Sequence, residues 1–121
     1  MGLDMYAYKT RQEVPQVDFE EPADAKKIGY WWKHPNLHGW MRQLYFQRGG
    51  QDTDFNCSCL QLDAGDLDVL EATIKADKLP ETQGFFFGQS QPEYKARDLA
   101  FIAKARKALA QGFKLYYRAW W

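Results

Sequence analysis

The sequence has few of the residues that cross-link small proteins or bind metals. It contains two cysteines, Cys57 and Cys59, and two histidines, His34 and His38. Two cysteines cannot build a disulfide framework, and a bond between positions 57 and 59 would close a strained ring. We therefore expect two free thiols and a fold that depends on its hydrophobic core.

Excess charge of either sign is also absent. The 16 basic and 16 acidic side chains give a formal net charge of zero at pH 7. Nucleic acids attract proteins mainly through Lys and Arg contacts to phosphates, so this balance argues against a nucleic-acid partner. The charges are nevertheless segregated, because residues 11–24 and 52–77 are mainly acidic and residues 25–48 and 95–118 are mainly basic. Either the blocks neutralise one another in the fold, or the two basic blocks form a face for an acidic partner.

Long apolar runs are missing as well, which argues against a membrane-spanning helix. The first ten residues lack the basic and apolar stretches of a secretory signal. We therefore expect no membrane partner and a cytoplasmic location. With 121 residues, the chain fits a single domain, residues 1–121, with one sizeable core.

Aromatic residues are abundant, with five Trp, seven Tyr and eight Phe. They are densest in residues 29–46, GYWWKHPNLHGWMRQLYF. The apolar positions with helical spacing in this segment are Leu37, Trp40, Met41, Leu44 and Tyr45. We therefore expect a first helix that opens at Pro35 and ends at Gly49-Gly50.

The remaining pattern predicts an α+β fold. Five segments have the composition of strands: residues 3–9, 27–33, 55–62, 84–88 and 113–121. A second helix is expected after Asp63 and a third between Ser90 and Gly112. This order favours a mixed β-sheet of about five strands with three helices mainly on one face, and a fully parallel βαβ arrangement is the alternative. Residues 10–25 predict a long exposed loop.

Candidate chemistry is sparse. His34 and His38 are one helical turn apart, and Cys57 and Cys59 point to one face of a strand, so the four side chains could share a zinc ion. Their spacing is not that of a zinc knuckle, and we predict no metal site and no cofactor. Common nucleophile, phosphate-loop and metalloprotease motifs are absent. We assign no catalytic residue, although Asp4 and His38 could act as an acid–base pair.

Adjacent aromatic residues recur in the predicted strands, at Trp31-Trp32, Tyr116-Tyr117 and Trp120-Trp121. Because side chains alternate across a strand, one ring of each pair should point away from the helices, and exposed aromatic patches mark binding surfaces. We expect Trp32, Tyr117 and Trp121 to be the outward rings. The predicted binding residues are Trp32, Lys33, His38, Tyr117, Arg118 and Trp121. The loop or a second copy of the chain could instead cover these rings. We favour a homodimer with Lys33 and Arg118 at its rim, which leaves the acidic loop 11–24 free to contact a partner.

Several blocks of the sequence resemble a group of small proteins encoded by bacteriophages and prophages. These blocks are the opening MGLDMY, the segment YWWKHPNLHGWM, the FNC of the third predicted strand, GFFFG and the ending YYRAWW. The similarity touches most of the chain, and its opening and closing blocks are the most specific. It implies a phage accessory protein in the bacterial cytoplasm, and it transfers no catalytic or binding residue.

Two functional hypotheses follow. The first is an accessory protein that binds and modulates a host protein, such as a defence complex, through an aromatic surface. The second is a small-molecule-binding protein or small enzyme with a pocket around Asp4, His38 and Trp40. The lack of catalytic motifs favours the first.

Overall fold

The first and last strands of the chain lie side by side in the middle of one sheet. The computed structural model describes residues 2–121, so Met1 of the opening block lies outside the described residues. In chain order the elements are β1 (Asp4–Thr10), β2 (Lys26–Trp32), α1 (Pro35–Gln47), β3 (Leu60–Leu62), α2 (Ala64–Lys75), α3 (Tyr94–Ala110) and β4 (Lys114–Trp120).

The sheet has the strand order β2-β1-β4-β3, and every neighbouring pair is antiparallel. The predicted α+β class is confirmed, with four strands in place of about five and an antiparallel sheet in place of a mixed one. The strand predicted at residues 84–88 is a turn. Phe86 and Gly88 have φ angles of 64° and 69° there, which an extended backbone cannot adopt.

The third strand is shorter than the sequence predicts for the same reason. Phe55 and Cys57 have φ angles of 48° and 66°. Only Leu60–Leu62 of the predicted segment 55–62 therefore pairs as a regular strand.

The helices carry the signals that the sequence predicts. Pro35 lies in the first turn of α1, where its missing N–H is not needed. The start of α2 is a reciprocal capping box, in which Asp63 accepts from the Asp66 amide and Asp66 accepts from the Asp63 amide. Among residues 2–121, no helix is long and apolar enough to cross a bilayer.

The two faces of the sheet differ in what covers them. The strand residues that pack against the helices are Met5, Ala7, Trp31, Leu115, Tyr117 and Ala119. The strand residues on the opposite, helix-free face include Asp4, Tyr6, Tyr8, Tyr30, Trp32, Tyr116, Arg118 and Trp120. All three helices thus pack on one face, and the second face is rich in aromatic rings.

Residues 11–25 form a loop that covers part of the helix-free face. Most of their side chains are exposed. Phe19 packs edge-on against Tyr116 with 5.5 Å between ring centroids, and Glu21 accepts a hydrogen bond of 3.0 Å from the Tyr116 hydroxyl. The loop therefore shields β4 at Tyr116 and leaves Tyr30 and Trp32 of β2 exposed.

Candidate functional site

The predicted outward rings are placed correctly in one case out of three. Trp32 is exposed on the helix-free face, whereas Tyr117 is buried among the helices and Trp121 packs edge-on against His38. The orientation predicted for Tyr117 and Trp121 is wrong because Tyr117 pairs with Ala7, a residue of the helix side. The charged residues of β4 could have shown this, since Lys114 and Arg118 share the outward register of Tyr116 and Trp120.

A group of exposed rings surrounds Asp4 on the helix-free face. Trp32 and Trp120 pair with Asp4 from either side, and Tyr30 donates a hydrogen bond of 2.6 Å to its carboxylate. This bond raises the pKa of Tyr30 to about 12. The exposed fractions are 42% for Tyr30, 50% for Trp32 and 52% for Trp120. We call these three residues the aromatic surface.

β2 is an edge strand with hydrogen-bonding groups directed outward. The Lys33 amide donates to the Leu3 carbonyl at 2.8 Å, so Trp31 and Lys33 direct their backbone groups toward β1. Tyr30 and Trp32 alternate with them and direct theirs toward the open side. The Trp32 carbonyl on that side lies 3.4 Å from the Tyr94 hydroxyl. Tyr30 thus offers both an N–H and a C=O group to a further strand.

A groove of about 240 Å³ runs along this edge, between β2 and α3. Its lining residues are Ile28, Gly29, Tyr30, Trp31, Arg97, Ala100, Phe101 and Lys104. The rings of Trp31 and Phe101 meet edge to face at 4.8 Å. A Cβ atom at Gly29 would lie only 2.9 Å from the Phe101 ring, so glycine permits the close approach of α3.

Cations border the same edge. They are Lys26, Lys27, Lys33, Arg97 and Lys104, and across residues 2–121 none of them forms a salt bridge. The Lys27 ammonium lies 5.5 Å from the Tyr30 ring, and that of Lys33 lies 4.6 Å from the Trp32 ring. Arg118, another predicted binding residue, instead pairs with Glu21 of the loop at 3.6 Å. Cations from the two basic blocks of the sequence thus meet at β2 and α3.

His38 lies on the other side of the sheet, in an aromatic core. Its Nδ1 atom forms a 2.7 Å hydrogen bond with the Tyr117 hydroxyl, and Phe55 stacks on its ring at 5.2 Å. Its Nε2 atom has no hydrogen-bond partner within the described chain. Burial, with a contribution from the charge of Arg42, lowers the pKa of His38 to about 3.

The pocket expected around Asp4, His38 and Trp40 does not form. Asp4 lies on the helix-free face with Tyr30, while His38 lies beneath the helices with Tyr117. The sheet itself separates the carboxylate from the imidazole. The alternating strand pattern could have indicated this, because Asp4 precedes Met5 and Met5 is a helix-side residue.

The predicted metal candidates do not converge either. No group of three or more His, Cys, Asp or Glu side chains in the described residues is arranged to hold a metal ion. Cys57 is an exposed thiol, and burial raises the pKa of the Cys59 thiol to about 12. His34 instead lies within hydrogen-bonding distance of Ser90 and Asp98, and sequence reasoning missed this cluster because the three residues come from distant segments.

Comparison with protein-family models, curated proteins and solved structures finds no significant match to the chain. The geometry of its own side chains is therefore the basis for a functional assignment.

Proposed function

We propose that the protein is a binding module that holds an extended, acidic segment of a partner protein along the open edge of β2. The observation that carries this proposal is the coincidence of an unpaired strand edge, an adjoining groove and unpaired cations in one place. Two exposed rings of the aromatic surface, Tyr30 and Trp32, lie on that edge strand.

Backbone pairing would supply the first part of the affinity. An extended peptide can add to an open sheet edge as a further strand, with main-chain hydrogen bonds to the edge residue. Tyr30 provides an outward N–H and C=O for this purpose. The groove between β2 and α3 gives the added strand room beside Ile28 and Phe101.

Side chains would supply selectivity, because those of an added strand alternate between two environments. One set would enter the groove and contact Ile28 and Phe101, which favours apolar residues. The other set would lie beside Tyr30 and Trp32 on the helix-free face. Lys27 and Lys33 lie over those rings, so this second set would gain from carboxylates.

The same cations disfavour pairing between two copies of β2. An antiparallel pair of β2 edges would bring Lys26 and Lys27 of one copy near Lys33 of the other, and like charges on neighbouring strands are destabilising. An acidic segment meets no such repulsion. This charge pattern supports a different protein as the partner, in place of the homodimer that the sequence analysis favours.

The cellular setting of the proposal comes from sequence resemblance. Similarity to small phage and prophage proteins supports an accessory protein that modulates a host protein in the bacterial cytoplasm. The zero net charge supports a protein partner over a nucleic acid, because nucleic-acid binding depends on an excess of basic side chains.

Two synthetic peptides provide a direct test. One alternates valine with glutamate and the other alternates valine with lysine. We expect only the glutamate peptide to bind in calorimetry and to shift the amide NMR signals of Ile28–Trp32. Equal binding of both peptides, or shifts confined to other elements, would contradict the proposal.

Charge reversal sharpens this test. The double variant Lys27→Glu/Lys104→Glu should weaken binding of the glutamate peptide about tenfold, since it reverses two cations at the edge. The double variant Lys78→Glu/Lys107→Glu is the matched control, because both lysines are exposed, without a salt bridge across the described chain and outside the groove. An equal loss in the control would show that only overall charge matters.

Light scattering shows whether a second copy of the chain, in place of a different protein, occupies the aromatic surface. We expect a monomer at high concentration. A dimer that Trp32→Ala dissociates and Val69→Ala leaves intact would assign the aromatic surface to a second copy and overturn the proposal. Val69 is a suitable control because it is an exposed apolar residue on α2.

A further inference from the structure

A chain of hydrogen bonds joins a serine, a histidine and an aspartate beneath α1 and α3. The Ser90 hydroxyl oxygen lies 2.7 Å from His34 Nδ1, and His34 Nε2 lies 2.8 Å from an Asp98 carboxylate oxygen. The second carboxylate oxygen of Asp98 accepts a hydrogen bond of 2.9 Å from the Trp31 indole. His34 and Asp98 are 3% and 2% exposed, whereas Ser90 is only half-buried.

The proton positions in this chain follow from its fixed donors. The Asn36 amide donates to the Ser90 oxygen at 3.0 Å, so the Ser90 hydrogen is available for His34 Nδ1. The Asp98 carboxylate only accepts, so His34 Nε2 must carry the ring hydrogen. In the neutral imidazole, Nδ1 is then a lone-pair acceptor of the serine proton. This is the arrangement of a nucleophile, a base and an orienting carboxylate.

The two ring nitrogens exchange the places that they have in serine proteases, where Nε2 faces the serine and Nδ1 faces the aspartate. The chemistry does not depend on which nitrogen faces the serine, because the hydrogen bond at one nitrogen fixes the tautomer of the other. Asp98 fixes it here, and Trp31 in turn holds Asp98.

Ser90 and His34 both line a cleft of about 220 Å³. The apolar part of its lining consists of Ile74, Leu79, Pro92 and Tyr94. Asp77 and Lys95 also line the cleft, but they neutralise each other in an ion pair of 3.1 Å. The cleft therefore presents a hydroxyl nucleophile to a small, uncharged and largely apolar molecule.

We propose that Ser90, His34 and Asp98 form a nucleophilic triad that hydrolyses small neutral esters in this cleft. The Ser90 oxygen bonds to the ester carbonyl carbon while His34 Nδ1 takes the serine proton. The carbon–oxygen bond to the leaving group then breaks, and His34 returns the proton to release an alcohol. Water attacks acyl-Ser90 with His34 as the base, which releases the carboxylic acid and restores the serine.

The start of α1 favours the developing oxyanion through the positive end of the helix dipole. Its backbone supplies no free donor from the first two residues, because Pro35 has no N–H and the Asn36 amide donates to Ser90. The side chain of Asn36 also lines the cleft. Its carbonyl oxygen accepts from the Thr82 amide at 3.1 Å, which leaves the NH₂ group as a donor.

Labelling with a fluorophosphonate tests the proposal on the unmodified protein. The reagent forms a phosphorus–oxygen bond with an activated serine and releases fluoride. We expect an adduct on Ser90 and none on Ser58, which is the other of the two serines in the sequence. Ser58 is an internal control, because its hydroxyl donates to Asp52 at 2.7 Å and has no histidine partner. Labelling of both serines at equal rates, or of neither, would overturn the triad.

Variants separate catalysis from a purely structural network. Removal of a general base typically slows such a reaction about 100-fold or more, so His34→Asn should lower the rate of Ser90 labelling by at least that factor. Hydrolysis of p-nitrophenyl acetate should fall to the Ser90→Ala background in the same variant. Circular dichroism checks the fold of each variant. Unchanged labelling in folded His34→Asn would show that the network only supports the fold. The comparison of Ser90 with Ser58 uses the wild-type protein, so it tests the proposal even if a variant does not fold.

Discussion

His34 and His38 stand one helical turn apart at the start of α1, yet the fold gives them opposite environments. Both ring nitrogens of His34 lie within hydrogen-bonding distance of a polar side chain, at the edge of an open cleft. Within residues 2–121, only one ring nitrogen of His38 has a hydrogen-bond partner, and aromatic rings enclose the other. The same residue type is therefore a fully bonded polar group at one site and an incompletely bonded one at the next.

The difference arises from distant parts of the chain. Ser90 and Asp98, which bind His34, are 56 and 64 residues away from it in the sequence. Tyr117, which binds His38, is 79 residues away on β4. His34 precedes α1 as its N-cap and turns toward α3, whereas His38 lies on the helix side that faces the sheet. Spacing along a helix thus says little about whether two histidines share a ligand.

The largest effect should come from removing the carboxylate that serves His34. Asp98→Ala would leave His34 and the Trp31 indole without their shared buried acceptor. Each buried donor that is left without an acceptor costs about 1–3 kcal/mol, so the two together should lower the unfolding free energy by about 2–6 kcal/mol. Urea denaturation should show this loss. Asp68→Ala is the matched control, because its exposed ion pair with Arg106 is worth at most about 1 kcal/mol. Equal losses of unfolding free energy in both variants would show that the buried position of Asp98 does not increase its contribution to stability.

Lowering the pH should have an intermediate effect on the free energy of unfolding, and this effect arises from His38. Its pKa is about 3 in the folded protein and 6.5 for an ordinary histidine. Between these values the unfolded chain binds a proton that the folded chain does not, so stability is complete above the higher pKa and falls as the pH falls. From about pH 7 to about pH 4.5 this linkage removes about 2.5 kcal/mol.

Denaturation at a series of pH values measures this loss, and His38→Phe should remove it. The charged group near His38 is Arg42, which keeps its charge in this range, and Tyr117 does not titrate there because burial raises its pKa well above 10. A pH dependence that survives in His38→Phe would therefore belong to other titratable groups of the chain.

Local signals in the sequence were sufficient for the helices and for the fold class. Asp63 begins α2 through the predicted cap, and Pro35 begins α1. The errors fall where long-range contacts set the backbone. The Cys57 amide donates to the Ala119 carbonyl at 2.7 Å, and the Leu3 amide donates to Phe86 at 3.1 Å, so both segments leave the extended conformation that their composition favours.

One candidate site was also indicated by the sequence, and the other was not. Charge segregation predicted that cations of two blocks could form one face, and Lys27 and Lys104 do lie on the same edge. The cluster of Ser90, His34 and Asp98 had no signal in local spacing, because it forms only where the start of α1, the segment before α3 and α3 itself meet in the tertiary fold. Motif searches depend on fixed spacing, and this cluster has none.

The smallest net effect should come from removing the polar pair at His38 altogether. His38→Phe alone leaves the buried Tyr117 hydroxyl unpaired, and Tyr117→Phe alone leaves the second imidazole nitrogen unpaired, so each should cost about 1–3 kcal/mol. The double variant removes both groups and the orphaned Nε2 atom, and it keeps a flat ring against Phe55. Replacing both partners with apolar groups of similar shape is nearly neutral, so we expect a change within about 1 kcal/mol at neutral pH. A double-mutant cycle from chemical denaturation measures this coupling. Losses that simply add in the double variant would show that His38 and Tyr117 stabilise the fold independently, and His38 would then resemble His34 more closely than its single hydrogen bond suggests.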